Sequence, residues 1–304
     1  MSRHSTPLRY PGGKQKLAPF FRELIDRNEL GGCQYSEPFA GGAGVAIDLL
    51  LAGKVSHIHL NDSCPLLYAF WRSILTKTDK FCTWISKASL TVDEWKRQRE
   101  IVRHASSYNQ LEVGFSLFYL NRCNRSGIPT GGLIGGLDQS GPWKMDARFP
   151  RSELIRRIES IAVKKKQITI KNMDAEDFLT SYVCSLPAPN LVYCDPPYFH
   201  KADRLYTNHY KPDDHLRISE LIQSGLDCKW VVSYDATQTV INHYNSKRSM
   251  LYELQYNASN AYKGREVMFF SDDLNLPSTS AFKPVDLALP DVRRRRTIPV
   301  RSNG

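Results

Sequence analysis

The chain has 304 residues, with 41 Lys and Arg against 31 Asp and Glu for a net charge of +10, and 41% hydrophobic side chains. That composition supports a sizeable core and excludes a disordered, collagen-like or coiled-coil chain. The length suits about two domains, or one large core with an insertion.

No apolar run approaches the roughly 18 residues that cross a bilayer, and residues 1–14 hold no apolar signal core. The expected location is the cytoplasm. Seven scattered cysteines never form a CxxC pair, which fits a reducing compartment and predicts no metal site.

In chain order, residues 34–37 lead as a strand into the glycine turn 38–44, and residues 45–52 read as a short apolar helix. Residues 54–60 alternate and stop at Asn61–Asp62, a strand and its end. Strand, glycine turn, helix and strand open a parallel βαβ unit. His57 and His59 share one strand face with no matching pair elsewhere, so they read as structural side chains, not metal ligands. The texture then changes. Residues 65–73, 80–87 and 92–104 read as amphipathic helices, and 130–141, with five glycines, as a loop or hairpin. An α/β pattern resumes with a strand at 168–170 and a helix at 175–181. A buried strand at 191–194 ends in Asp195-Pro196-Pro197-Tyr198. Residues 215–224 read as a helix, 229–234 as a buried strand and 267–270 as the last strand. From Pro277 the chain turns Pro/Ser-rich and ends near Arg293–Arg296, an expected disordered tail. The expected division is an α/β core over 1–62 and 166–276, a mostly helical insertion over 63–165 and a basic tail over 277–304.

Charge follows this division. Residues 63–170 carry 18 basic and 9 acidic side chains, and residues 283–304 carry 6 and 2. Residues 1–62 carry 7 and 6, and residues 171–282 carry 10 and 14. A basic block beside a near-neutral remainder points to a polyanion partner, although a solvated helical face gives the same count.

Three short elements carry candidate chemistry. Glycines after a strand let the backbone approach a nucleotide-like ligand, and the following helix presents free N–H groups. Asp62, 20 residues after Gly42, stands where an acid accepts hydrogen bonds from ribose hydroxyls. A glycine turn alone serves plain packing equally well. This one departs from GxGxxG, which favours an adenosine ligand without phosphates. Asp195, held extended by the following proline, stands beside a proline carbonyl. Together they form an acceptor pair for an –NH2 group, with Tyr198 as a flat face for a heterocycle. A rigid turn capped by a core tyrosine has the same sequence. In Leu8-Arg9-Tyr10-Pro11-Gly12-Gly13-Lys14, the lysine can meet a ligand carboxylate as a point charge or lie solvated.

Together these blocks resemble a family. Tyr10-Pro-Gly-Gly-Lys14, Glu37-Pro-Phe-Ala-Gly-Gly-Ala-Gly44, Asn61–Asp62 and Asp195-Pro-Pro-Tyr198 occur in the order found in Dam-type DNA adenine methyltransferases. Phe118-Tyr-Leu-Asn-Arg122 and Trp230-Val-Val-Ser-Tyr234 match as well. The segment from Asn121 to Phe149 resembles a branch with a glycine-rich recognition loop. It departs from the aromatic-Asn-Gly-Leu hairpin of the best-known members, so no target sequence carries over.

The resemblance implies a Rossmann-like α/β core that uses S-adenosylmethionine, with the inserted subdomain recognising double-stranded DNA. It implies cofactor contacts from Tyr10, Lys14, Phe39, Gly42, Asp62, Asp174 and Asp195. The catalytic set is Asp195, Pro196 and Tyr198, acting on the 6-amino group of a flipped-out adenine. Arg122, Asn124, Arg125, Ser126, Ile128 and Lys144 are the expected DNA contacts. A cognate restriction endonuclease outside this chain is a further partner of such enzymes. The rivals are an amino-methyltransferase acting on cytosine or RNA and a non-catalytic DNA-binding regulator on the same fold. Asp195 and the block order favour adenine. Intact Lys14, Asp62, Asp195 and Tyr198 favour catalysis.

Overall fold

The structure, a computed structural model, describes residues 5–9, 14–198, 210–256 and 262–277. Strands buried on both faces need cover from helices, the usual condition of a parallel sheet. β1 (Cys33–Glu37), β4 (Asn190–Cys194) and β5 (Lys229–Asp235) are buried along nearly their whole length. With β2 (Val55–Asn61) and β3 (Ile168–Lys171) they form the parallel part of the sheet. β6 (Arg248–Tyr256) and β7 (Tyr262–Phe270) complete it as an antiparallel pair, β7 lying against β5. The order is β3-β2-β1-β4-β5-β7-β6. The final strand is thus longer than its apolar stretch, residues 267–270, predicts, and β6 is an addition to the predicted elements.

The strand order reverses between β1 and β4. Connections from these neighbours leave in opposite directions, which opens a crevice at their carboxyl ends. The glycine turn after β1 and Asp195 after β4 flank that crevice. Asp62 follows β2 one strand further along.

Helix α1 (Ala18–Arg27) precedes β1, and α2 (Gly44–Leu51) joins β1 to β2. Between β2 and β3 come α3 (Pro65–Thr76), α4 (Thr78–Lys87), α5 (Val92–Arg103), α6 (Gln110–Cys123) and α7 (Arg151–Val163). Beyond β4 lie α8 (Pro212–Ser224) and α9 (Gln238–His243). Asn109 caps α6 by accepting from the Leu111 and Glu112 N–H groups at 3.1 Å each, and Glu112 returns a bond to the Asn109 N–H. From Leu111 to Cys123 every residue of α6 but Glu112 is buried. Gly114 lets α3 come close: a Cβ there would lie 2.6 Å from the Ala69 carbonyl oxygen. One apolar cluster runs from Tyr35 and Ile58 in the sheet through Phe70 and Trp71 to Phe115 and Phe118. Among the described residues no helix is long and apolar enough to cross a membrane.

Candidate active site

The glycine turn is held by side chains from four directions. Gly41 and Ala43 adopt positive φ of 47° and 45°, a conformation that L-residues rarely take. Asp62 Oδ2 accepts the Gly41 N–H at 2.9 Å, and Trp71 Nε1 donates to the Gly41 carbonyl at 3.0 Å. Thr6 Oγ1 donates to the Gly42 carbonyl at 2.6 Å. Ala43, at the N-cap of α2, has no side-chain acceptor. Glu37 supplies one from the end of β1: its Oε1 accepts the Ala46 N–H and the Tyr35 hydroxyl, both at 3.1 Å. Burial pushes the Glu37 carboxyl up to about 8, against the two hydrogen bonds that lower it. Glu37 is therefore neutral at pH 7.

Asn61 joins three segments. Its Nδ2 donates to the Pro38 and Met173 carbonyls at 3.1 Å each, and its Oδ1 accepts the Met173 N–H at 2.9 Å. Asp62 accepts a second backbone bond, from Cys64 to Oδ1 at 2.9 Å. Each carboxylate oxygen thus takes one backbone donor and keeps capacity for another. Burial raises Asp62 to about 6, which leaves it ionised at neutral pH. Asp174 caps the short helix that follows β3 by accepting the Glu176 N–H at 2.8 Å. Phe39 lies half-buried, edge-on to Tyr210 at 5.7 Å.

At the end of β4, Asp195 Oδ1 accepts the Ser233 hydroxyl of β5 at 2.7 Å. Ser233 is in turn 2.8 Å from the Tyr193 hydroxyl. Lys14 Nζ lies 3.4 Å from the same Asp195 oxygen, and the Asp195 side chain is 27% exposed. Burial pushes its carboxyl up to about 6; Lys14 opposes that shift and Glu266 reinforces it. Pro196 is buried beside it. The Tyr198 hydroxyl donates to Glu266 Oε1 at 2.8 Å and accepts from Lys14 at 3.3 Å.

Lys14, expected either near the cofactor carboxylate or solvated, is not solvated. It is 6% exposed, with its ammonium bound by Glu266, Asp195 and the Tyr198 hydroxyl. Burial by itself lowers the pKa of an ammonium, but the nearby Asp195 carboxylate, followed by the Tyr252 hydroxyl and the Glu266 carboxylate, outweighs it and raises Lys14 well above its ordinary value. Two carboxylates draw the lysine to the Asp195 turn. Glu266, on β7, belongs to none of the sequence motifs. Its only signal is a lone acid at the head of the apolar run 267–270.

A family model described as D12 class N6 adenine-specific DNA methyltransferase matches residues 10–259. The chain belongs to that family. It is an enzyme that methylates adenine in DNA, and its mixed seven-stranded sheet with helices is the Rossmann-like α/β fold of methyltransferases. Two solved structures of the rRNA methyltransferase aviRa from Streptomyces viridochromogenes align over 86% of this chain. They cover 86% and 85% of those chains, with 14% and 13% identity and TM-scores of 0.41 and 0.39. No curated protein matches the chain.

The expected DNA contacts of this adenine methyltransferase fall into two groups. Arg125 and Lys144 are exposed, and Ser126 and Ile128 half-buried, with Ser126 at a positive φ of 57°. Arg122 and Asn124 were expected to reach outward but are buried. Arg122 Nε donates to the Arg148 carbonyl at 2.6 Å. Burial, with Arg9 and Arg157 nearby, pulls its guanidinium down to about 9. Asn124 accepts from Trp95 Nε1 at 2.7 Å and donates to the Ile128 and Pro129 carbonyls at 2.9 Å each. Both side chains hold the loop that follows α6 from inside. The physical reason is that α6 is enclosed on all sides, so its polar end residues turn inward to backbone carbonyls. Asn121, within the 118–122 motif, accepts from the Arg9 N–H at 2.8 Å. It also donates to the carbonyls of Arg9 and Gly127 at 2.6 and 2.8 Å, tying the N-terminal segment to the loop. Tyr10 lies outside the described residues.

Proposed function

We propose that the methyl donor is S-adenosylmethionine, held in the crevice between β1 and β4, and that Asp195 and the Pro196 carbonyl receive the 6-amino group of an extruded adenine. The observation that carries this reading is the placement of two ionised acids at the carboxyl ends of the parallel strands. Asp62 and Asp195 flank the glycine turn where the strand order reverses. The residues suit the donor. The left-handed turn presents backbone, Asp62 keeps acceptor capacity on both oxygens for ribose hydroxyls, and Phe39 offers an aromatic surface; Gly42 lies in the turn, and Asp174, after β3, is assigned to the donor's adenine ring on family resemblance. Bound there, S-adenosylmethionine supplies an electrophilic methyl carbon on a sulfonium sulfur.

The chain's own residues orient the acceptor. Ser233 and Lys14 occupy Asp195 Oδ1, which leaves Oδ2 to accept one amino hydrogen while the Pro196 carbonyl accepts the other. Those bonds draw the nitrogen lone pair out of conjugation with the ring. As positive charge develops on that nitrogen, the Asp195 carboxylate stabilises it. Near pH 7 Asp195 is ionised in most molecules, as this task requires. Tyr198 lines the adenine's position, and the extruded base leaves its duplex.

Residues 63–170, with twice as many basic as acidic side chains, form the proposed DNA grip. Arg125 and Lys144 meet phosphates or base edges, and Ser126 to Ile128 lie beside the vacated base. A restriction endonuclease sharing the target sequence is a partner proposed on family resemblance alone.

Two variants separate the roles. Asp62→Ala is expected to weaken S-adenosylmethionine binding by about tenfold or more, measured by calorimetry, through loss of a charge-assisted hydrogen bond. Asp195→Ala is expected to keep most of its donor affinity and transfer no methyl group. Equal donor affinity in Asp62→Ala, or retained transfer in Asp195→Ala, refutes the assignment concerned.

A further inference from the structure

We infer that Glu266 is a positioning residue for methyl transfer, fixing through one buried carboxylate both the Tyr198 ring and the Lys14 charge that faces Asp195. Glu266 is 1% exposed and sits on β7, two strands away from Asp195 in the sheet. Its Oε1 accepts the Tyr198 hydroxyl at 2.8 Å, and its Oε2 accepts the Tyr252 hydroxyl of β6 at 2.9 Å and the Lys14 ammonium. Three elements distant in sequence therefore meet on one side chain. A buried carboxylate without partners is strongly unfavourable, so three donors on Glu266 mark a built arrangement.

The arrangement has a consequence for charge. Lys14 is shared between two carboxylates, Asp195 and Glu266. Were Glu266 neutral, the lysine would serve Asp195 alone, and the repulsion between the two acids would vanish. Glu266 thus sets how readily Asp195 gains a proton, as well as where Tyr198 and Lys14 stand. The other groups facing Asp195 are Glu37 from β1, Tyr193 and Cys194 from β4, Ser233 from β5 and Tyr252 from β6. Glu37 is neutral below about pH 8. Lys14 is raised well above its ordinary value, as are the two tyrosines and Cys194. None of these five titrates near pH 6. Asp62 does, at the donor site, so with donor held saturating the acid limb of the single-turnover rate reports Asp195 beside the Lys14 and Glu266 charges.

This inference rests on Asp195 as the amino-group acceptor. The test is the single-turnover methylation rate between pH 5 and 9 for the full chain, Glu266→Gln and Asp195→Asn, with donor and DNA binding measured in parallel. Glutamine keeps the shape and an acceptor but removes the charge. Glu266→Gln is expected to bind donor and DNA within about threefold of the parent and to lose roughly tenfold or more of its rate at pH 8 through misplacement of the site. Its acid limb is expected to move to lower pH by on the order of one unit, as the repelling charge is gone. A parental rate with an unmoved acid limb overturns the assignment. A lowered rate with an unmoved limb also overturns it, since that is the result of a purely structural residue. Parental activity in Asp195→Asn overturns the active-site reading itself, a separate failure.

Discussion

Glu37 makes a sharp test of the electrostatics around the glycine turn. It closes the N-terminus of α2 from β1 and holds the Tyr35 hydroxyl, and burial raises its carboxyl from 4.5 to about 8. The unfolded chain therefore releases this proton first. Below pH 4.5 both states are protonated and Glu37 leaves stability unaffected. From there to about 8 the unfolded state is increasingly favoured, and above that the loss is complete. Ionising the group in the folded protein costs at most about 4–5 kcal/mol, at 1.36 kcal/mol per unit. Between about pH 6.5 and 8, past most of the titration of Asp62 and Asp195, this group alone removes about 1.5 kcal/mol. Glu37→Gln keeps the acceptor for Ala46 and Tyr35 and cannot ionise. Urea unfolding at several pH values should show the parent losing that stability and the variant holding level by comparison. Parallel stability curves for the two proteins would show that Glu37 is not a buried neutral acid, and the charge balance drawn for the site would fall with it.

Gly114→Ala should lower stability by roughly 1–3 kcal/mol, because the new methyl meets the Ala69 carbonyl and α3 must retreat; an unchanged urea midpoint would contradict the close packing of α3 on α6. Asn61→Ala removes three bonds among the loops after β1, β2 and β3, and should cost about 2–4 kcal/mol in chemical denaturation and weaken donor binding as well. Truncation at residue 282 removes six basic and two acidic side chains. Methylation should survive, while the affinity for non-specific DNA falls and its dependence on salt becomes shallower; an identical salt slope would remove the tail from the DNA contact.

The parts of the site legible in sequence are those carried by short contiguous runs. Residues 34–62 read correctly as strand, glycine turn, helix and strand because their hydrophobic pattern and turn residues are local. Asp195 was legible because it closes a short apolar strand and precedes two prolines. Ser233 came with the matching motif 230–234, although only the fold shows its hydroxyl on Asp195. Glu266 was not legible. Its meaning depends on Lys14, Tyr198 and Tyr252, at separations of 252, 68 and 14 residues, and no periodicity reports such a meeting. Arg122 and Asn124 misled for a related reason. Charged and amide side chains are exposed by default, and only the enclosure of α6 on all sides turns these two inward. β6 opens on Arg248 and Ser249, and Glu253 and Gln255 interrupt its apolar residues, so it lacks a pattern as plain as those of β4 and β5.

The most direct measurement is nucleoside mass spectrometry of duplex DNA and of RNA after incubation with methyl-labelled S-adenosylmethionine, using the parent and Asp195→Asn. Label in N6-methyladenine from DNA, present with the parent and absent with Asp195→Asn, is the expected result. Label in methylcytosine or only in RNA, or N6-methyladenine formed equally by both proteins, would contradict the account.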